Sequence, residues 1–318
     1  MYNIIINPAS KSGRGMKIWI LIEAELIRRD IEYQTFFTKG IGDATKIARD
    51  LTATSTDGMC SIIVLGGDGT MNEVVQGIVN FGNTQVSYIP TGSSNDLGRD
   101  LKIHKNPLEA LAAVLDRPRF LSMDIGVMTY KQEGMWHQGP EGGTVTRRFC
   151  VSTGIGFDAA VCEEALSSRI KKVFNKVGLG KLTYLGIALK QLIMAPEGSA
   201  RIHLDNHEPI VLKQFLFITG MIHKYEGGGF MFCPKADMCD GALDLCVVGH
   251  IPKWKALCIL PTAFFGKHTG FQGVSAYRTK RVEVHTEKPV WVHVDGEVPG
   301  QTRDIVVTCE EQKLNLVY

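Results

Sequence analysis

The sequence predicts a two-domain chain: an N-terminal α/β domain layered around a mostly parallel sheet, followed by a domain of antiparallel β structure. Three observations carry this reading. Up to Leu115, strand-like and helix-like runs alternate, the pattern of an α/β layer. Short β-branched runs without polar interruption, "NIIIN" and "SIIVL", suit strands covered on both faces, as parallel strands are. Beyond Ser122 the chain turns to hairpin-like segments, and its 318 residues are enough for two cores.

In order, the first part reads as strand Tyr2 to Asn7, helix Met16 to Arg29, strand Ile31 to Phe37 and helix Asp43 to Leu51. Strand Cys60 to Leu65, helix Met71 to Phe81, strand Val86 to Ile89 and helix Pro107 to Leu115 follow. The second part offers "FLSMDIGVMTY", "RRFCVSTGIGF", "SARIHLDN", "IVLKQFLFITGM", "GALDLCVVGH", "RVEVHTEKPVWVHVDGE" and "DIVVTCEEQKLNLVY" as hairpin-like segments with turn residues. Val290, Val292 and Val294 alternate with Trp291, His293 and Asp295, the period of a half-buried strand. Two helical interruptions are expected, around Asp158 to Ala195 and Pro252 to Gly266. The division expected is 1–121 and 122–303, with the tail 304–318 returning to the first domain.

Composition narrows the function. With 44% hydrophobic and 21% charged residues the chain has the balance of a soluble globular protein. A net charge of +2 argues against nucleic acid as a partner. "MYNIIINPAS" reads as a first strand instead of a signal peptide. "KLTYLGIALKQLIMAP" and "KALCILPTAFFGKH" are interrupted by Lys190 and Pro261 and fall short of a membrane span, so no transmembrane helix is expected. The eight cysteines form no CxxC pair, which reads as reduced thiols in a cytoplasmic protein.

"SIIVLGGDGTMNEVVQG" places Gly66, Gly67 and Gly69 between a strand and a helix. A nucleotide phosphate approaches a main chain closely only where side chains are missing, and the amide end of a helix opening at Thr70 attracts anions. The loop is neither a Walker A sequence nor a GxGxxG fingerprint. Asp68 is the informative residue. A carboxylate beside polyphosphate needs a bridging Mg²⁺, or else it caps the helix structurally.

"GGDGTMNEVVQG", "PTGSSNDLGRDL" and "INPASKSGRG", with "STGIGFDAAV", "GKLTYLGIALKQL", "PKADMCDGALDL" and "VHVDGE", resemble the bacterial diacylglycerol kinase family, soluble lipid kinases related to sphingosine and ceramide kinases. The resemblance runs over nearly the whole chain. It implies ATP- and Mg²⁺-dependent phosphorylation of a lipid hydroxyl, with nucleotide on the N-terminal domain and lipid on a C-terminal β-sandwich. By motif, Thr38, Gly66, Gly67, Asp68, Gly69, Thr70, Met71, Asn72 and Ser93 are implied in the ATP site. Ser93 stands where the family usually has Thr, which keeps the hydroxyl. The resemblance also implies a homodimer formed by strand pairing between N-terminal domains.

"VHVDGE" separates Asp295 from Glu297 by one glycine, a spacing that serves either phosphoryl transfer, where a carboxylate accepts the alcohol proton, or an ordinary D-G hairpin turn. The resemblance implies Glu297 as proton acceptor with Asp295 beside it. "KADMCDGALD" offers Asp237 and Asp240 as hard ligands or as Asx turns. The resemblance implies a structural magnesium on Asp237, Asp240 and the carbonyl of Ala242.

The basic and apolar stretch 169–190 suits either peripheral contact with an anionic membrane surface or a helix packed on its own domain. Two alternatives stand beside the lipid kinase. An NAD kinase shares GGDGT but is expected to continue differently from "TMNE" and "PTGSSND". A non-catalytic lipid-binding relative has no need of these carboxylates.

Overall fold

The computed structural model describes residues 1–54, 58–131, 143–167, 180–194, 198–205 and 208–318. The N-terminal strands β1 (Tyr2–Ile6), β2 (Tyr33–Phe37), β3 (Cys60–Gly66) and β4 (Thr84–Pro90) lie parallel in the order β2-β1-β3-β4. Their unbroken apolar runs serve two faces at once. Ile4, Ile6, Ile63 and Leu65 pack with Trp19, Ile22 and Leu26 of α1 (Ser10–Arg28) and Ala110 and Leu111 of α5 (Pro107–Asp116). Their neighbours Ile5, Ile62 and Val64 pack the other way, with Ala44 and Ala48 of α2 (Asp43–Thr54) and Met71 and Val74 of α3 (Asp68–Gly77). Each fully buried isoleucine contributes about 1.5–3 kcal/mol, which fixes the layer order.

The sheet is completed from the far end of the chain. β16 (Leu314–Val317) inserts parallel to β4 and antiparallel to β5 (Phe120–Met123), so the last strand is a full member of the first sheet. The chain thus passes twice between the two sheets, at Asp124 on the way out and between Cys309 and Leu314 on the way back.

The second sheet is antiparallel throughout, in the order β13-β12-β11-β8-β14-β15-β6-β7, with β9 joining β14 and β10 joining β9. These strands are β6 (Gly126–Lys131), β7 (Thr144–Phe149), β8 (Ser152–Gly156), β9 (Ala200–Leu204), β10 (Ile210–Leu212), β11 (Phe215–Met221), β12 (Leu243–Gly249), β13 (Val274–Thr279), β14 (Arg281–Val294) and β15 (Glu297–Cys309). β14 shifts register between His285 and Val290, pairing with β9 before the shift and with β8 after it, so the sheet folds over on itself. Met128, Phe149, Ile155, Ile202, Val284 and Val292 fill the interior.

Helices α6 (Phe157–Ser167) and α7 (Gly180–Met194) fall in the first expected interruption, and α8 (Lys253–Ile259) with a 3-10 turn (Leu260–Phe265) in the second. No helix among the described residues is long and apolar enough to cross a membrane. Residues 168–179, with Arg169, Lys171, Lys172 and Lys176 of the stretch read as membrane-seeking, lie outside the described residues.

Candidate active site

Three glycine- and serine-rich segments leave the C-terminal ends of β1, β3 and β4, the edge where open parallel sheets bind ligands. Hydrogen bonds sew them together. The Asn7 side chain donates to Thr70 Oγ1 at 2.9 Å, the Ser10 and Thr91 hydroxyls bond at 2.8 Å, and Thr91 N–H donates to the Gly66 carbonyl at 2.7 Å. Gly67 and Gly92 meet backbone to backbone, and a Cβ on Gly92 would stand 2.6 Å from Gly67 Cα.

Gly69 differs. It has ordinary helical backbone, and a Cβ there would meet nothing within 4 Å. The fold does not require its missing side chain, so the bare surface faces solvent beside the first amides of α3. Thr38 is buried just after β2, Ser93 is exposed at the rim, and the Met71 side chain lies in the core. Only the main chain of Met71 can face a ligand.

Asp68 is not the cap of its own helix. Gly67 holds the N-cap position without a side-chain bond. The Asp68 carboxylate reaches across to the second motif, accepting from Asp96 N–H at 2.9 Å and from the Tyr88 hydroxyl at 3.3 Å. It thereby serves the first turn of α4 (Asp96–Asp100), whose N-cap Asn95 adopts φ of 50°. Burial, then the charge of nearby Asp96, pushes the Asp68 carboxyl up to about 7. Asp68 has no Lys or Arg partner among the described residues. Asp96 pairs with Arg99 at 2.7 Å, which leaves Asp68 as the carboxylate here suited to a divalent cation arriving with polyphosphate.

The second sheet supplies Asp295 in the turn between β14 and β15, with φ of 47°. Its carboxylate accepts from Cys150 N–H at 2.8 Å, Val151 and Ser152 N–H at 2.9 Å, and Asn72 Nδ2 at 2.8 Å. Burial raises its pKa and these four donors oppose the shift. With every oxygen engaged, Asp295 is a latch that ties Asn72 of α3 to the second sheet. Glu297, by contrast, is partly open to solvent and pairs with Arg147.

The other clasp residues belong to no motif singled out in the sequence. Gln76 of α3 bonds both ways with the Arg148 main chain, and Arg148 pairs with Glu310 at 3.0 Å. Asp96 Oδ2 accepts from Gly228 N–H at 2.8 Å, fastening the second motif to the "EGGGF" turn. A Gln one turn after Asn72, at i+4 on the same helix face, is the signal available in hindsight.

The turn assigned by resemblance to structural magnesium is held by the chain's own cations. Asp237 Oδ1 accepts from Cys239 N–H and Asp240 Oδ1 from Ala242 N–H, both at 3.1 Å, as Asx turns. Arg278 takes the other Asp240 oxygen at 2.9 Å. Lys313 Nζ spans fully buried Asp124 at 2.7 Å and the Cys239 carbonyl at 2.8 Å, and this contact raises the lysine pKa. Arg278 thus competes for one of the donors assigned to the metal, while Lys313 lies on neighbouring groups, Asp124 and the Cys239 carbonyl. Among the described residues, three metal-capable side chains converge only at Asp158, Cys162 and His293. There His293 Nε2 lies 2.8 Å from Asp158 and 2.9 Å from Glu226.

The Asn72 to Asp295 bond thus joins the glycine-rich corner of the first sheet to the carboxylate turn of the second. Residues 1–128 match the family model of the diacylglycerol kinase catalytic domain, and residues 151–318 match that of the YegS C-terminal NAD kinase beta sandwich-like domain. The chain belongs to the diacylglycerol kinase family of lipid kinases. It is a kinase.

YtlR of Bacillus subtilis strain 168, a candidate lipid kinase by its name, is 29% identical over 299 residues, covering 94% of this chain and 93% of that protein. A diacylglycerol kinase of Mycobacterium tuberculosis is 29% identical over 295 residues, covering 92% and 87%. The crystal structure of a diacylglycerol kinase from Bacillus anthracis superposes with a TM-score of 0.69 at 18% identity, covering 100% of this chain and 96% of that one. At that identity the superposition speaks for the fold. The β-sandwich is of a kind shared with NAD kinases, so the match over the first domain is what separates the two readings.

Proposed function

We propose that this kinase transfers the γ-phosphate of ATP to the hydroxyl of diacylglycerol or a related lipid alcohol, with Mg²⁺. The observation that carries the reading is the Asn72 to Asp295 bond, which joins the glycine corner of one domain to the "DGE" turn of the other. The amides of Gly67, Asp68, Gly69 and Thr70 receive phosphate oxygens, and Thr38 and Ser93 border the nucleotide. Asp68 is the residue suited to hold the metal, which when bound neutralises phosphate charge.

Glu297 takes the proton of the lipid hydroxyl. Its partner Arg147 fixes the position of the carboxylate beside the turn. Asp295 has no free acceptor position and serves by holding the turn and Asn72 in place. Enzyme and substrate meet at a bilayer, on the cytoplasmic side.

Radiolabelled ATP with a panel of lipid alcohols in mixed micelles, including NAD⁺ as a competitor substrate, tests the reading. Label in a phosphatidic acid or similar product is the expected result. Label in NADP⁺ alone, or in no product, overturns it.

A further inference from the structure

From Leu245 to Val282 the chain contains no Asp or Glu, while it carries Lys253, Lys255, Lys267, Arg278, Lys280 and Arg281. Within this stretch α8 runs directly into the 3-10 turn, and the unit is apolar on both sides. Inward, Ala256, Ile259 and Ala263 are buried and help to line an apolar cavity of about 30 Å³ with Phe157 and Leu192. Outward, Trp254 is 68% exposed and Phe265 75%, with Leu257, Phe264 and Phe271 also exposed.

The end of α7 extends the same surface. Lys253 Nζ donates to the Ile193 carbonyl at 2.8 Å, which holds α7 and α8 side by side and brings in Ile193, 74% exposed, and Met194, 64% exposed. Single exposed apolar residues are ordinary, but a contiguous set of this size marks an interaction surface.

We propose that this face docks on an anionic lipid bilayer, with Trp254, Phe265 and Ile193 entering the headgroup layer and Lys255 and Lys267 lying against lipid phosphates. The purpose of such docking rests on the lipid-kinase reading above. Charge selects the occupant. Lys255 and Lys267 have no carboxylate partner among the described residues, and the acid-free stretch offers none. A second copy meeting this face across a two-fold axis would set basic rim against basic rim, whereas an anionic surface complements it. Trp and Lys beside buried-length apolar side chains is the composition that interfacial segments use. The inner wall of the same unit packs against the second domain around the small apolar cavity, which leaves only its outer side to meet a partner.

Flotation with phosphatidylcholine vesicles, with and without phosphatidylglycerol, tests this on the full chain. The variants are Trp254→Glu/Phe265→Glu and Lys255→Glu/Lys267→Glu. Wild type is expected to float with anionic vesicles and to be released by salt. Each double variant is expected to lose about tenfold or more in partitioning, with unchanged melting temperature and unchanged transfer to a soluble short-chain diacylglycerol. Variants that float like wild type overturn the proposal. So does a wild-type oligomer that ignores vesicles and is dissociated by Trp254→Glu/Phe265→Glu, which would assign the face to a second copy. Wild type that floats but phosphorylates neither vesicle-borne nor soluble diacylglycerol upholds the docking face and sinks the substrate reading instead.

Discussion

Replacing Asp68 by Asn is expected to stabilise the ligand-free protein while crippling it as a kinase. The carboxyl of Asp68 is pushed from 3.8 to about 7, so between those values the folded chain keeps a proton that the unfolded chain has released. Stability therefore falls as pH rises across that window. At about 1.36 kcal/mol per unit, the full shift is worth about 4 kcal/mol. Asp68 keeps some solvent contact, which discounts the cost to about 1–3 kcal/mol.

Asn is neutral and its oxygen still accepts from Asp96 N–H, so the variant escapes the penalty. Thermal unfolding without nucleotide or divalent ions should show Asp68→Asn melting about 2–6 °C above wild type at pH 8, with only about a third of that gap left at pH 5. Mg²⁺ should raise the wild-type melting temperature at pH 8 and leave the variant unmoved. A variant less stable than wild type at pH 8, or a difference that does not change between the two pH values, would refute the reasoning.

Other expectations follow from the same geometry. Glu297→Gln should lower kcat by about 10²–10⁴ while the KM for ATP changes only a few-fold, a split read by steady-state kinetics; retained turnover would remove the proton-acceptor role. Gly69→Ala should leave the ligand-free melting temperature unchanged or slightly raised, because its Cβ meets nothing, while ATP binding measured by calorimetry weakens about tenfold or more. Lys313→Met should cost about 2–3 kcal/mol in urea unfolding by stranding buried Asp124, whereas EDTA should leave wild-type stability unchanged; a wild type that melts earlier in EDTA would restore a metal to that turn.

Much of the first domain was legible because its strands are short and unbroken. Ile4, Ile5 and Ile6 serve two opposite faces, which only a sheet covered on both sides explains. Boundaries were less legible. α1 begins at Ser10, six residues before the expected Met16, because Gly13 and Gly15 read as loop. Gly15 is glycine for contact, since a Cβ there would stand 2.2 Å from the Asn7 carbonyl. "FLSMDIGVMTY" reads as a hairpin-like segment with a turn, but its two halves join different sheets on either side of Asp124, which no local pattern encodes. α4 was missed because Asn95, in left-handed backbone, stands before only one turn of helix.

At the site, residue types pointed to the chemistry but not to its division of labour. Asp295 and Glu297 look alike in "DGE", and they separate only once three backbone donors from 150–152 are seen to occupy Asp295. Those donors come from a segment far away in sequence, which no local pattern encodes. Asp68 likewise reads as a possible cap of its own helix until its bond to Asp96 N–H appears.

The most direct measurement is a crystal structure with Mg²⁺ and a non-hydrolysable ATP analogue. The account predicts triphosphate density against the Gly67 to Thr70 amides, its closest approach at Gly69, with a cation between phosphate and Asp68. Triphosphate bound elsewhere on the chain would contradict it.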